Sequence, residues 1–417
     1  MSEDYRIPQG GGVPWRDLSA DGRRAPERDV EITDVRTMRL AGNFNWGIVK
    51  VETDAGAYGI GETYRAPQGL LEFAEGLLVD LEGENPLDVT RLLAKLNQNY
   101  TGCGRIGQAA FTGIEMALWD LKGKLLDVPV YELLGGKFRD EVRVYCDTHG
   151  GEGLGAAESG ASPREIYTPE SYAEAAREVV DAGFSALKFD LDVKTRADVD
   201  TAARRLDNDA VEHKVALVEA VREEIGYEVD LGMDLHWNFT VETATRLGEK
   251  LDPYDLAWLE DPVHPDDVEG HRQVRESVSS PVLTGENLHR AAEFEPYVRE
   301  RALDIAAPDV CKCGGLSAFV EIAQLCERHG VPVSPHNVAS PVGTVAGAHV
   351  GAAVPNLFAV EYHAFEVPWW GDLVDRTGET GGVIEGGTID VPEGPGLGIE
   401  IDPDVAEAHL LDGEVIV

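Results

Sequence analysis

The chain has 417 residues, 43% of them hydrophobic, which excludes a disordered tail or a small binding module and leaves room for one large domain with a smaller one, or for two to three ordinary domains. Its 36 basic residues, only 10 of them Lys, face 76 acidic ones, a net charge of −40. So anionic a surface repels phosphate backbones, and binding to nucleic acid by general electrostatics is disfavoured.

Residues 1–28 are polar and rich in Gly, Pro and Arg, and read as a flexible arm. They lack a basic stretch followed by an apolar one, so no signal peptide is expected and a cytoplasmic location is. No window reaches the ~18 uninterrupted apolar residues of a membrane span. From 29 to about 65 the pattern has period 2, as in VEITDVRTMRL and NWGIVKVETD, and predicts antiparallel strands. From 69 to 135 it is helical, as in LLEFAEGLLVDLE and GIEMALWDLKGKLL. Residues 29–140 are therefore expected to form an α+β unit.

Beyond 140, eight short apolar runs alternate with helical stretches: VRVYCD, SALKFDL, EVDLGMDLHW, AWLEDP, PVLTGEN, DIAAPDV, VPVSPHN and LFAVEYH. Eight such alternations predict a parallel (β/α)8 barrel over 141–365. An open doubly wound sheet is disfavoured, because no strand is followed by a Gly-rich nucleotide turn. Residues 150–168 read as a loop inserted after the first barrel strand. The tail, 366–417, is rich in Gly, Pro and Asp and is expected to fold back on the first unit.

The acidity is spread along the whole chain, which reads as a surface adapted to high salt, where self-repulsion is screened. A halophilic source is expected. Five scattered cysteines do not make a disulfide framework. The pair Cys311 and Cys313 reads as packed thiols in a reducing compartment.

Polar residues stand where the apolar runs end: Asp234, Glu260, Glu286, Asp309, His336 and Glu361, at gaps of 26, 26, 23, 27 and 25 residues. One β/α unit of a barrel takes roughly 30 residues, so these side chains converge on one mouth. Asp234, Glu260 and Glu286 are three carboxylates on neighbouring strands. They cannot all ionise together unless a cation compensates them, and oxygen ligands suit Mg²⁺. Asp309 and His336 form a carboxylate–imidazole pair of the kind a general base requires. Lys188, Asp190 and His236 belong to the opposite side of the mouth.

Together GETY, GIEMALWDLKGKLLDVPVYELLGG, ALKFD, WLEDP, GEN, PDVCKCGGL, SPHN and VEYH resemble the mandelate racemase group of the enolase superfamily over nearly the whole chain after residue 29. The resemblance implies a capping domain built from both chain ends, a Mg²⁺-bearing barrel, and removal of the proton α to a carboxylate. It implies Asp234, Glu260 and Glu286 as metal ligands and a protonated Glu361 as a donor to the substrate carboxylate. It also implies a symmetric homo-oligomer, a dimer or octamer.

Where racemases of this group carry Lys-x-Lys, this chain has Lys188-Phe189-Asp190, so two-base racemisation is in doubt. Strand alternation places Asp234 and His236 on the same inward face; this Asp234-x-His236 pattern is similar to the acid-sugar dehydratases of the superfamily, and the motif set as a whole is similar to archaeal gluconate and xylonate dehydratases. The implied reaction is loss of water from an aldonic acid to give a 2-keto-3-deoxy acid. His336, oriented by Asp309, is the expected base, His236 the acid for the leaving hydroxyl, and Lys188 a carboxylate-binding group. A same-fold epimerase or cycloisomerase and a non-catalytic metal-binding scaffold are the rival readings. Substrate selection is expected from Asn43, Asn45, Trp46, Tyr64 and Arg65 in cap loops, with Asp190. Trp369 and Trp370 are read as packing against the barrel, with closure of the other rim as the alternative.

Overall fold

The computed structural model describes residues 30–67, 69–151, 167–193, 204–378 and 380–417. The arm expected over 1–28 and most of the insertion expected at 150–168 lie outside the described residues.

Strands β1 (Ile32–Ala41), β2 (Asn45–Thr53) and β3 (Tyr58–Thr63) form an antiparallel meander. β3 lies against the long helix Gly104–Leu126. A Cβ at Gly59 would stand 2.0 Å from the Ala117 carbonyl, and one at Gly61 2.2 Å from that of Gly113. The two glycines thus let strand and helix backbones touch, at the usual entropic cost of Gly in a strand.

The barrel is built from β4 (Glu141–Thr148), β5 (Ala186–Asp190), β6 (Asp230–Asp234), β7 (Trp258–Glu260), β8 (Val282–Thr284), β9 (Ile305–Ala306) and β10 (Val360–Tyr362). They pair in parallel in the order β10-β4-β5-β6-β7-β8-β9. The seventh expected run, VPVSPHN, closes the ring through single bridges: Val333 to Ala306 and Leu357, and His336 to Asp309. Pro332 and Pro335 explain the thin ladder, since neither offers an N–H. Below the mouth, Trp258 and Tyr145 fill the interior beside Ala186, Ala307 and Ala359. Trp258 fits because Gly232 has no side chain: a Cβ there would lie 2.0 Å from the indole.

Most barrel helices start on their own cap. Thr168, Asp207, Thr240 and Asp267 each accept the N–H three residues on. Two helices are capped from the other domain. Helix Gly315–Glu327 starts at Gly314, with no cap side chain of its own, and Glu115 of the cap accepts the N–H groups of Leu316 and Ser317 at 2.8 and 2.9 Å. Glu62, at the end of β3, accepts from Ser340 N and Gly343 N, both at 2.9 Å, at the start of helix Pro341–Ala353.

The C-terminal stretch runs beside the cap sheet. Ala41 N donates to His409 O and Leu411 N to Arg39 O, while Asp120 accepts from Leu397 N at 2.8 Å. No described helix is long and apolar enough to cross a membrane.

Candidate active site

A cavity of about 780 Å³ opens at the C-terminal ends of the barrel strands. Lys188, His236, Glu286 and His336 line it from the barrel, and Tyr64 and Arg65 from the cap. This is where a (β/α)8 barrel exposes the side chains that end its strands.

Asp234, Glu260 and Glu286 are buried at 1%, 1% and 6% exposure on neighbouring strand ends. The Lys188 ammonium lies among acids: 2.7 Å from Glu361 Oε1, 3.2 Å from both Asp234 Oδ2 and Glu260 Oε1, and 3.5 Å from Asp147 Oδ2. Burial opposes its charge, but Asp147, Glu260, Glu361 and Asp234 outweigh burial and hold it well above the usual lysine range. Burial likewise pushes Glu260 well up. The Trp258 indole fixes the other Glu260 oxygen at 3.0 Å. Glu286 reaches the opposite way, to His336 Nε2 at 2.7 Å, and Asn287 donates to its second oxygen at 2.7 Å.

This donor set, three buried carboxylates crowded around positive charge, fits a hard divalent cation. Among the described residues, the donor groups drawn within 4.8 Å of one another are Asp190/Asp234/His236 and Asp147/His149/His363. The expected trio is spread more widely, because Lys188 stands between Asp234 and Glu260 while His336 draws Glu286 away.

The dyad is assembled. Asp309 Oδ2 is 2.8 Å from His336 Nδ1, and both residues are buried. Burial favours the neutral ring, but Glu286, Glu361 and Asp309 overcome it and raise His336 well above the ordinary imidazole range. Glu361 differs from the donor that the resemblance implies. Its Oε2 accepts from Asn337 N at 2.8 Å, and its Oε1 lies 2.7 Å from the Lys188 ammonium, an ion-pair partner.

His236 joins the site by a different route from strand alternation. β6 ends at Asp234, and His236 and Trp237 both take left-handed backbone, φ 41° and 48°. Two non-glycine residues in that region are strained, a feature that concentrates at functional sites. The turn brings His236 Nε2 to 3.6 Å from Asp234 Oδ2 and Nδ1 to 3.2 Å from Asp192 Oδ1. Burial opposes its charge, but Asp234, Asp192 and Asp190 push its pKa up to about 12. Asp190 stands behind this ring, 3.8 Å away, and does not line the cavity.

The cap contributes unevenly. Arg65, itself at φ 42°, lays its guanidinium 3.8 Å from the Phe44 ring centre. Tyr64 lies under Lys312. Trp46 does not reach the cavity: it is 1% exposed, its indole donates to Val338 O at 3.3 Å, and it packs against Trp369. Asn45 is exposed and off the lining. Its neighbour Asn43 bonds His363, which does line it. Trp369 stacks on His409 and Trp370 is buried, donating to Ala339 O, so both are packing groups.

Two family models match the chain: the Mandelate racemase / muconate lactonizing enzyme N-terminal domain over residues 30–135, and the Enolase C-terminal domain-like over 171–405. The chain belongs to the mandelate racemase group of the enolase superfamily. A member of this group named D-xylonate dehydratase, from the halophile Haloferax volcanii, is 43% identical over 409 residues, 96% of this chain and 95% of its own length. A D-galactonate dehydratase family member of Musicola paradisiaca is 30% identical over 409 residues, 93% of this chain and 95% of its own. The crystal structure of a mandelate racemase/muconate lactonizing enzyme-like protein from Rubrobacter xylanophilus superposes with a TM-score of 0.88. It is 39% identical and spans 93% of this chain and 99% of that one.

Within this mandelate racemase-group chain, sequence reasoning missed four residues. Glu62 and Glu115 sit in motifs that carry the family resemblance, GETY and GIEMALWD, yet nothing local marks them as caps of distant helices. Asp147 is the last residue of the VRVYCD run, one before the end of β4, and His363 follows β10 directly, two residues past Glu361. The strand-end rule that found the carboxylate ladder would have found them.

Proposed function

We propose that this chain dehydrates an aldonic acid of the xylonate, gluconate or galactonate type to a 2-keto-3-deoxy acid, with Mg²⁺ held by Asp234, Glu260 and Glu286. The observation that carries the reading is the pair of imidazoles, His336 on its Asp309 and His236 on its Asp192, on opposite sides of one buried carboxylate ladder. A divalent ion there supplies the charge that offsets a second negative charge on the substrate carboxylate when its α-proton leaves.

The protein's own residues do the rest. Once Glu286 ligates the cation, the His336 ring is released from its ion pair and gives up its proton; its Nε2 then takes the C2 proton, while Asp309 holds Nδ1 and so fixes the ring's orientation and tautomer. The electron pair from the C2–H bond passes first to the substrate carboxylate, then returns to form C2=C3 as the C3–O bond breaks. His236 gives its proton to the departing hydroxyl, which leaves as water, and the enol becomes the 2-keto acid. Lys188, ion-paired with Glu361, is the donor placed to meet a substrate carboxylate oxygen. Tyr64 and Arg65 cover the mouth. The relative named D-xylonate dehydratase supports the choice of acid sugar.

The test is a screen of purified protein in Mg²⁺ and high KCl against aldonic and aldaric acids, reading 2-keto acid with and without EDTA. An EDTA-sensitive product from an aldonic acid is expected. No product, with C2 exchange in D₂O, would turn the reading to an epimerase. We further propose a cap formed by 29–140 with 366–417 over the barrel of 141–365, a homo-oligomeric state, and a cytoplasmic location. Sedimentation would read the oligomer.

A further inference from the structure

On the wall opposite the carboxylate ladder, Asp147 and His363 face the cavity together. Asp147 is 5% exposed, and among the described residues its Oδ1 has no hydrogen-bond partner. Its Oδ2 stands 3.5 Å from His363 Nε2 and 3.5 Å from Lys188. A buried carboxylate oxygen left bare is costly unless something that is not protein meets it.

The cap decides which nitrogen of His363 carries the proton. Asn43 Nδ2 lies 2.7 Å from His363 Nδ1. The orientation of that amide is fixed twice by backbone: Asn43 Oδ1 accepts Phe44 N at 3.0 Å, and Nδ2 donates to His363 O at 3.0 Å. The amide therefore offers an N–H to the ring. Nδ1 must accept it, and in the neutral ring the proton sits on Nε2, toward Asp147 and the cavity. Burial first, and then His149, holds His363 well below the ordinary imidazole range, so the ring is neutral.

A neutral N–H donor beside an unpartnered carboxylate oxygen is the complement of a hydroxyl, which accepts and donates at one atom. We propose that Asp147 and His363, with the tautomer set by Asn43, read one hydroxyl of the substrate's polyol tail beyond C3 and so determine specificity. This inference rests on the acid-sugar reading, in which the C2 proton is given to His336 and the C3 hydroxyl to His236, leaving this pair for the rest of the chain. A third metal ligand set at Asp147/His149/His363 fits less well, since His363 turns a proton and not a lone pair to the cavity.

Two measurements test it. Imidazole ¹⁵N spectra, assigned with His363→Gln, should show His363 neutral and protonated on Nε2. In Asn43→Asp, where the amide donor becomes an acceptor, the proton should move to Nδ1. An Nδ1-protonated ring in the unsubstituted protein overturns the inference. The second measurement compares kcat/KM for an aldonate with its analogues lacking the C4 or the C5 hydroxyl. The protein should lose about 10–100-fold on one of them, the worth of a hydrogen bond to a charged group. Asp147→Asn should reduce that discrimination to below about threefold. Discrimination unchanged in both Asp147→Asn and Asn43→Asp overturns the inference and leaves the dehydratase reading intact. Turnover of no acid sugar at all overturns both.

Discussion

The barrel mouth and the cap each bury carboxylates, and they compensate them differently. In the mouth, Asp234, Glu260 and Glu286 are balanced by side-chain charge: one lysine shared among four acids, and one imidazole. In the cap, Glu62 and Glu115 are balanced by fixed dipoles, the N-termini of two barrel helices together with Ser340 and Ser317 hydroxyls. The first arrangement keeps an excess of acceptors for a cation. The second is saturated and acts as a clip. Both clips seize helices that follow the Asp309 and His336 strand ends, so the cap is fastened beside the proposed base.

The largest effect should separate the two sets by what they cost. Glu260→Gln is expected to lower kcat/KM about 10³-fold or more, because it removes a ligand of the proposed ion. It should leave or raise the Tm of metal-free protein, since one like charge leaves a crowd. Glu62→Ala should do the reverse. It strands two backbone N–H groups and the Ser340 hydroxyl, and should cost about 3 kcal/mol of stability by denaturant unfolding. A Glu62→Ala protein of unchanged stability would dissolve the comparison.

The next effect sharpens the clip through pH. Burial raises Glu62 from 4.5 to about 7. The folded state thus favours its protonated form, and its contribution, complete below pH 4.5, is lost as pH rises through 7. Burial lowers His349, in the helix that Glu62 caps, from 6.5 to about 4. Its contribution is present above pH 6.5 and is lost as pH falls through 4. Each is worth up to about 3 kcal/mol, and between pH 4.5 and 6.5 they oppose one another. Glu62→Gln should therefore expose a stability that climbs with pH, and His349→Gln one that falls. Parallel pH curves for the two variants would refute this.

The smallest effect concerns the surface common to both regions. With a net charge of −40, Tm should rise by several degrees from low to molar KCl as self-repulsion is screened. A flat response would remove the halophilic expectation.

The sequence made the barrel legible because eight apolar runs alternate with helical stretches, and six of those runs end in a polar residue at a near-constant gap. Fold, ladder and dyad followed from that rhythm. The left-handed turn at His236 was not legible, because alternation was assumed to run past Asp234. Nor were the clips: Glu62 and Ser340 are 278 residues apart, and no local pattern links them. Trp46 reads equally as a substrate contact or a core residue from its loop of polar neighbours, and burial of its large ring decides for the core.

The central claim is that two histidines divide one elimination. C2 hydrogen exchange in D₂O, measured beside dehydration in His336→Asn and His236→Asn, tests it most directly. The account predicts that His336→Asn loses both exchange and dehydration, whereas His236→Asn keeps exchange and loses dehydration. Full activity in His336→Asn, or exchange lost equally in both variants, would contradict it.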